Sequence, residues 1–173
     1  ARRMGAQYGI GLILRGLGDV ASLQQDYTRA NARYEQSLIV FKQVGDQVQI
    51  SKVLSDIGAT ARAQGDYTRA QDHYARSLAI AQRLQVGQTM LRDIIGLLAS
   101  HAQANRLQRA AQLIGFLNQQ PDLAPAMQED LDELMPELEA TLAADELQAA
   151  LERGKSLDLD TVVQELLAEF GER

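Results

Sequence analysis

The sequence contains no cysteine, only two histidines and no long uninterrupted run of apolar residues. Without cysteine, neither a disulfide framework nor a thiolate metal site can form. Two histidines are too few for a His-only metal site, which needs three or four ligands. A membrane helix needs about 18 apolar residues in succession, and the run at 94–99 is short and interrupted by Gly96. With no secretory leader visible, we expect a cytoplasmic protein without membrane contact.

Motifs for catalysis and cofactor binding are missing as well. The glycines of the first twenty residues do not follow the spacing of a phosphate-binding loop. Carboxylates are abundant from Glu129 to Glu152, but no neighbouring feature singles out one of them as a general acid or base. Asp158 and Asp160 lack the remaining ligands of a calcium loop. The sequence therefore predicts a non-enzymatic chain that binds neither cofactor nor metal.

One stretch of thirteen residues occurs twice, with an offset of forty residues. Residues 26–38 and 66–78 both begin with Asp-Tyr-Thr-Arg-Ala and share Tyr, Ser and Leu further on. Self-similarity at a fixed offset is typical of proteins built from stacked repeats. Since the chain starts at Ala1 already within this pattern, we expect it to be part of a longer protein.

The offset predicts three helix pairs over residues 1–120, at about 1–44, 45–86 and 87–120. In the first helix of each pair, apolar residues recur at intervals of three or four, which places them on one helix face. Because a single pair cannot cover its own apolar face, the pairs are expected to stack in series. The three sets of first-helix residues are Ile10, Leu14, Leu17 and Ala21; Ile50, Leu54, Ile57 and Ala61; and Met90, Ile94, Leu97 and His101.

Small residues recur where paired helices should cross. Ala30, Ala70 and Ala110 hold one such position in the second helices. In the first helices Gly18 and Gly58 share a position, and its occupation by a leucine in the third copy predicts rearranged packing there. The turns inside the pairs contain Gly, Asn or Asp, which suit turn geometry. Between pairs, Gly45 and Asp46 are expected to close the first and Gly87 the second. His101 is expected to pack at a helix edge, and His73, among polar neighbours, to be solvated.

Residues 121–173 are predicted to form an acidic C-terminal helical cap packed on the last pair. Pro121 and Pro125 mark the exit from the third pair. Pro136 falls inside an apolar stripe and is expected to kink or restart that helix. Gly154 is a suitable C-cap, and Asp158 a suitable N-cap for the last helix.

These motifs resemble tetratricopeptide repeats. The resemblance rests on Leu14-x2-Leu17-Gly18-x2-Ala21, then Ala30-x3-Tyr34, and on their copies from Leu54 to Tyr74. It implies an all-α, right-handed superhelix whose first helices line a concave groove. The period of forty departs from the usual period of about 34 residues.

The long period and the tail are similar to the C-terminal regions of large bacterial signalling ATPases, including LuxR-type transcriptional regulators related to the maltose activator. The similar phrases are Gly-Asp-Tyr-x-Arg-Ala at 65–70 and Arg-Ala-Ala-Gln-Leu-Ile-Gly at 109–115. The resemblance implies a module that receives an inducer or partner protein and signals to a nucleotide-binding switch. A stand-alone adaptor or assembly scaffold is the alternative, and a helical-array enzyme ranks third. Homo-oligomerisation stays open.

The charge of the chain is divided. Residues 1–120 carry a net charge of +6 and residues 121–173 a net charge of −12. The basic residues stand singly along the helices, so direct contact with nucleic acid is not expected. We expect a net basic groove that suits an acidic protein or peptide, with a solvated face that binds no ligand as the alternative. The acidic tail is a candidate competitor for the groove. The predicted groove residues are Arg15, Asp19, Lys52, Ser55, Arg62, Arg92 and Gln103.

Overall fold

The computed structural model describes the backbone of residues 2–171 and the side chains of residues 5–171. Within this part of the chain there are nine α-helices and no strand, which confirms the predicted all-α class. The helices are α1 (Arg2–Leu23), α2 (Tyr27–Val44), α3 (Gln47–Ala63), α4 (Tyr67–Leu84), α5 (Gly87–Gln103), α6 (Leu107–Leu117), α7 (Pro125–Thr141), α8 (Ala144–Lys155) and α9 (Leu159–Phe170).

The first six helices form three hairpins that stack in chain order. α1 packs on α2, α3 on α4 and α5 on α6, and the second helix of one pair contacts the first helix of the next. One apolar cluster joins the first pair to α3, and a larger one runs from the end of α3 through α5 and α6 into the tail helices. The stacking of helix pairs therefore supplies most of the core.

The turns within the pairs repeat the same backbone conformation. Gln25, Gly65 and Asn105, each forty residues from the next, all have positive φ, at 61°, 77° and 56°. Asp26 and Asp66 follow, and their carboxylates accept hydrogen bonds from the backbone N–H three residues later, at 3.0 and 3.1 Å. This N-cap satisfies donors that a helix start leaves unpaired. The repeated sequence thus sets a repeated turn and helix start.

Two aromatic side chains occupy equivalent positions in the first and second pairs. The ring of Tyr34 lies against Gly18, and the ring of Tyr74 lies against Gly58. Both tyrosines are buried. In the third pair the same two positions hold Ile114 and Leu98, both fully buried. The third pair therefore has a leucine where the other first helices have glycine, and an isoleucine where the other second helices have tyrosine. This exchange of sizes is the rearranged packing that the sequence predicts.

Two expectations about helix ends, at Gly87 and Gly154, were wrong. Gly87 does not close the second pair, because Gln85 ends α4 with φ 56° and Gly87 is the first residue of α5. Pro136 lies inside α7, which continues through it without a restart and buries Leu131 and Leu138 on either side of it. Gly154 is inside α8, where an added Cβ would overlap the Gln112 carbonyl of α6. By contrast, Asp158 caps α9, accepting from the Thr161 N–H at 2.9 Å.

The tail helices lie against several parts of the stack. α8 packs on α6, where Gly115 and Gly154 let the two backbones approach closely. α7 contacts α5 and α6, and α9 contacts α4 and α5. The side chains of Leu131, Val163 and Leu166 are fully buried in the core that the tail shares with the second and third pairs.

No helix in the described residues has both the length and the apolar character that a membrane crossing requires.

The crossing of α3 and α4 provides a test of the repeat register. Ala70 is fully buried, whereas Ala79 on the same helix is exposed. Ala70→Arg places a bulky charge at the crossing and should lower the free energy of unfolding by about 3 kcal/mol or more. Ala79→Arg is the matched control and should change it by less than about 0.5 kcal/mol. Chemical denaturation followed by circular dichroism measures both, and equal effects would contradict the register.

Candidate functional site

Four of the seven predicted groove residues come together at one place. Arg15 of α1 and Arg92 of α5 contact the carboxylate of Asp56, and Arg92 also contacts Lys52 and Ser55 of α3. They come from the first helices of three successive pairs. Their convergence is a consequence of stacking, since the residues are about forty positions apart in sequence.

The Asp56 carboxylate is the centre of this cluster. Arg15 Nε donates to Asp56 Oδ2 at 2.6 Å, and Arg92 Nη2 lies 2.9 Å from Asp56 Oδ1. Arg92 also donates from Nε to Ser55 Oγ at 2.9 Å and from Nη2 to the Lys52 carbonyl at 3.2 Å. Asp56 is buried, so removing either arginine would leave this carboxylate less compensated. The two guanidinium groups are thereby held in fixed positions.

A cavity of about 270 Å³ opens beside the cluster. With three cationic side chains around it and Asp56 as their paired anion, it carries an excess of positive charge. Burial alone lowers the pKa of Arg15, but the hydrogen bond and charge of Asp56 outweigh this and raise it. The excess of positive charge and the stabilised charge of Arg15 both favour a ligand with carboxylate groups. The cavity is lined by Arg15, Lys52, Gln88, Thr89, Arg92 and Met127.

The other three predicted residues do not line this cavity. Asp19 is exposed and accepts a hydrogen bond from Tyr34 Oη at 2.8 Å. Arg62 faces the tail, with its Nη2 3.7 Å from Asp130 Oδ1 of α7. Gln103 is exposed at the C-terminal end of α5. The structure therefore separates the seven into a central group of four and three outlying positions.

The acidic tail forms one side of the groove. Met127 of α7 lines the cavity, and Gln88 Nε2 donates to the Asp122 carbonyl at 2.5 Å. Carboxylates of the tail pair with Arg62, Arg106 and Arg109. None of these ion pairs involves Arg15, Lys52 or Arg92. The negative charge of the tail therefore lies beside the cavity and leaves its cations unpaired with the tail.

Asp56 was missed at the sequence level although a signal was present. At the same position the other two repeats have Gly16 and Gly96, so an aspartate stands out once the repeats are aligned. Gln88, Thr89 and Met127 carried no such signal, because their place at the cavity depends on how α7 packs against α5.

A second, larger cavity of about 430 Å³ lies elsewhere on the molecule. Its walls come from α3, α4 and the end of α9, with Lys42 of α2 at one side, and they include the apolar residues Ile50, Leu54, Leu167 and Phe170. None of the seven predicted residues lines it. The cluster around Asp56 is the better candidate site, since it combines an opening with several fixed polar groups.

Residues 9–83 match a family model described as the tetratricopeptide repeat. No curated protein and no solved structure gave a significant match. The first two helix pairs are thus similar to tetratricopeptide repeats. The matched segment holds the two copies of the thirteen-residue stretch and three of the four central groove residues. Arg92 and the tail lie outside it, so their contribution to the site rests on geometry.

Among the described residues no group of three His, Asp or Glu side chains is arranged to hold a metal ion. Of the two histidines, His73 is partly buried in α4, where burial lowers its pKa, so the expectation of a solvated side chain was wrong. His101 is buried with its ring 5.2 Å from that of Phe170, centroid to centroid. Burial, Arg109 and Arg106 lower the pKa of His101 to about 4, so the imidazole is neutral at pH 7.

Asp93 is a fully buried carboxyl group of α5, close to Ser55 and Ser77. Neither of its oxygens accepts a hydrogen bond of good geometry, and the nearby Ser77 hydroxyl donates instead to the Ser51 carbonyl at 2.8 Å. Burial raises the pKa of Asp93 to about 8, and the Ser55 and Ser77 hydroxyls offset this only in part. Asp93 is therefore mostly protonated at neutral pH.

The raised pKa of Asp93 predicts a pH-dependent stability. Above its ordinary pKa, the unfolded chain loses the Asp93 proton while the folded chain keeps it up to about pH 8. The free energy of unfolding should therefore fall as the pH rises towards 8 and level off above it. Between pH 6.5 and 8 the loss should reach about 2 kcal/mol, at 1.36 kcal/mol per pKa unit. Below pH 6.5 His101 acts in the opposite direction, because its pKa is lowered.

Urea denaturation at pH 6.5 and pH 8 measures this dependence. Asp93→Asn should remove most of the difference between the two pH values. Glu139→Gln, on the exposed side of α7, is the control and should leave it unchanged. An Asp93→Asn variant with the wild-type pH dependence would show that Asp93 is already ionised in the folded chain.

Proposed function

We propose that this chain is a protein-interaction module that binds an acidic segment of a partner protein in the groove around Asp56. The observation that carries the proposal is the convergence of Arg15, Lys52 and Arg92, from three successive pairs, at one open cavity. Tetratricopeptide repeats are in general non-catalytic protein-interaction modules, which agrees with this use.

The arginines and the lysine have different roles in the proposed site. Arg15 and Arg92 are fixed by Asp56, so a partner carboxylate meets guanidinium groups that are already oriented. Lys52 also lines the cavity, and a lysine contributes a charge on a flexible stem. Ser55 is buried and orients Arg92 through its hydroxyl group. Such a site favours two carboxylates spaced along an extended peptide.

We further propose that the module belongs to a bacterial signalling or transcriptional regulator of the LuxR-type ATPase class. The support is the resemblance of the forty-residue period and of the segment 109–115. In that setting, partner binding in the groove would be the input signal. The acidic tail, packed on α5 and α6, would then cap the repeat stack and border the site.

Charge reversal at Lys52 tests the site. The probe is a fluorescein-labelled peptide of alternating Glu and Gly residues, titrated by anisotropy at 50 and 150 mM NaCl. Lys52→Glu should weaken binding about tenfold at the lower salt concentration, equivalent to about 1.4 kcal/mol, and by less at the higher one. Lys42→Glu, an exposed position of α2 away from the cavity, is the matched control. Equal affinities for both variants would contradict the groove.

Asp130 tests the contribution of the tail. Its Oδ1 lies 3.7 Å from Nη2 of Arg62, so this ion pair joins α7 to α3. Asp130→Asn removes one negative charge beside the groove and should strengthen binding of the same peptide two- to threefold. Exposed ion pairs contribute about 0–1 kcal/mol, so stability should change little. Glu139→Gln, elsewhere on α7, is the control and should leave the affinity unchanged; weaker binding by Asp130→Asn would exclude competition from the tail.

A further inference from the structure

The outer face of α1 is apolar and open to solvent. Ile10, Ile13, Leu17 and Val20 recur at intervals of three and four and share one side of the helix. Their side chains are 50%, 65%, 44% and 52% exposed. The sequence analysis placed Ile10 and Leu17 on an inward face, which holds for the equivalent residues of the later pairs but not for α1. An apolar patch of this kind marks an interaction surface.

The same positions are covered in the second and third pairs. There the second helix of the preceding pair packs on the face, α2 on α3 and α4 on α5. The face of α1 is more apolar than these covered faces, but no helix among the described residues packs on it. The eight equivalent residues, each less than 6% exposed, are Ile50, Val53, Ile57 and Thr60, and Met90, Asp93, Leu97 and Ser100.

Glycines on these helices indicate which side chain a covering helix would place on α1. Gly96 of α5 lies under the ring of Tyr74, a residue of the preceding second helix, and an added Cβ would overlap that ring. Gly16 is the equivalent residue of α1, two repeats earlier, and a Cβ added there would meet no atom within 4 Å. Gly16 is thus an open notch of the kind that receives an aromatic ring in the third pair.

Charge on α1 does not compensate for this exposed face. Between Gly5 and Leu23 the only charged residues are Arg15 and Asp19. Arg15 is bound to Asp56, and Asp19 accepts the Tyr34 hydroxyl. A solvent-exposed helix face in a soluble domain is normally polar, so a 22-residue helix with this surface is typical of one that packs on both sides.

A second copy of the chain fits this surface poorly. The helices that cover such faces are second helices, and in the described residues α2 is covered by α3, α4 by α5 and α6 by α8. A second copy would therefore have no second helix to offer. It could present its own α1, but in the stack the face of each later first helix is covered by a second helix.

We propose that the outer face of α1 is the docking surface for the second helix of a further helix pair, placed in series before α1. That helix carries an aromatic residue over Gly16, as Tyr74 lies over Gly96, and a small residue four positions earlier, as Ala70 precedes Tyr74. Its remaining contact residues are apolar, to match Ile13, Leu17 and Val20. The repeat stack then extends by one pair at its N-terminal end.

An extended chain tests this inference with the pair α3–α4 as the probe. Residues 47–86 are joined directly to Gln7, which keeps the register because Gly87 follows Val86 at the equivalent position. Hydrogen exchange followed by mass spectrometry compares α1 in the extended and original chains. Exchange of the α1 amides is expected to slow by about tenfold in the extended chain, with a higher Tm.

Two glycine variants separate docking from helix stability. In the original chain Gly9→Ala and Gly16→Ala should each raise Tm slightly, since both positions have open space and Ala favours helix. In the extended chain Gly16→Ala should remove the added protection, because the new methyl group meets the aromatic ring. Gly9→Ala should keep it, because the equivalent residues Gln49 and Thr89 carry side chains within the stack.

Three results would overturn the inference. The first is unchanged exchange of α1 in the extended chain. The second is an equal effect of Gly9→Ala and Gly16→Ala in that chain. The third is a dimer of the original chain in light scattering that Ile13→Gln dissociates, which would assign the face to a second copy.

Discussion

The packing of Tyr74 between two glycines is the contact on which the helix stack depends. Its ring lies against Gly58 of its own pair and against Gly96 of the next, so one side chain joins α3, α4 and α5. A side chain at either glycine would overlap the ring or press against it. Burial raises the pKa of Tyr74 to about 12, so the phenol stays neutral and tolerates this apolar position. The spacing of the layers follows from this contact.

Repetition made the helix pairs predictable, because equivalent residues obey the same local physics. The turn at Gly65, the N-cap at Asp66 and the buried Ala70 each follow from residue type and position. The ends of α4 and α8 were predicted wrongly, in α8 because packing between helices overrode a local preference. Gly154 shows this, because the α6 backbone lies where a side chain at this position would be.

The candidate site was partly predictable for the same reason. The positions of Arg15, Lys52 and Arg92 on a shared concave face follow from the repeat register alone. The register also marks Asp56 as unusual among glycines, yet its pairing with two arginines depends on the distance between adjacent layers. Arg62 lies seven residues beyond Ser55 on α3, about 10 Å along the helix axis. Its pairing with Asp130 was not predictable, because the tail does not repeat.

The groove and the stack are mechanically connected through Asp56. Its carboxylate pairs with Arg15 of the preceding helix pair and with Arg92 of the following one. The distance between the two guanidinium groups therefore depends on the spacing of α1, α3 and α5. A change in that spacing would move Arg15 relative to Arg92 and alter the fit of two ligand carboxylates. Conversely, a ligand that bridges both arginines would stabilise one curvature of the stack. Because α1 carries Arg15 on one side and the open notch of Gly16 on another, packing on its outer face is coupled to the geometry of the binding site.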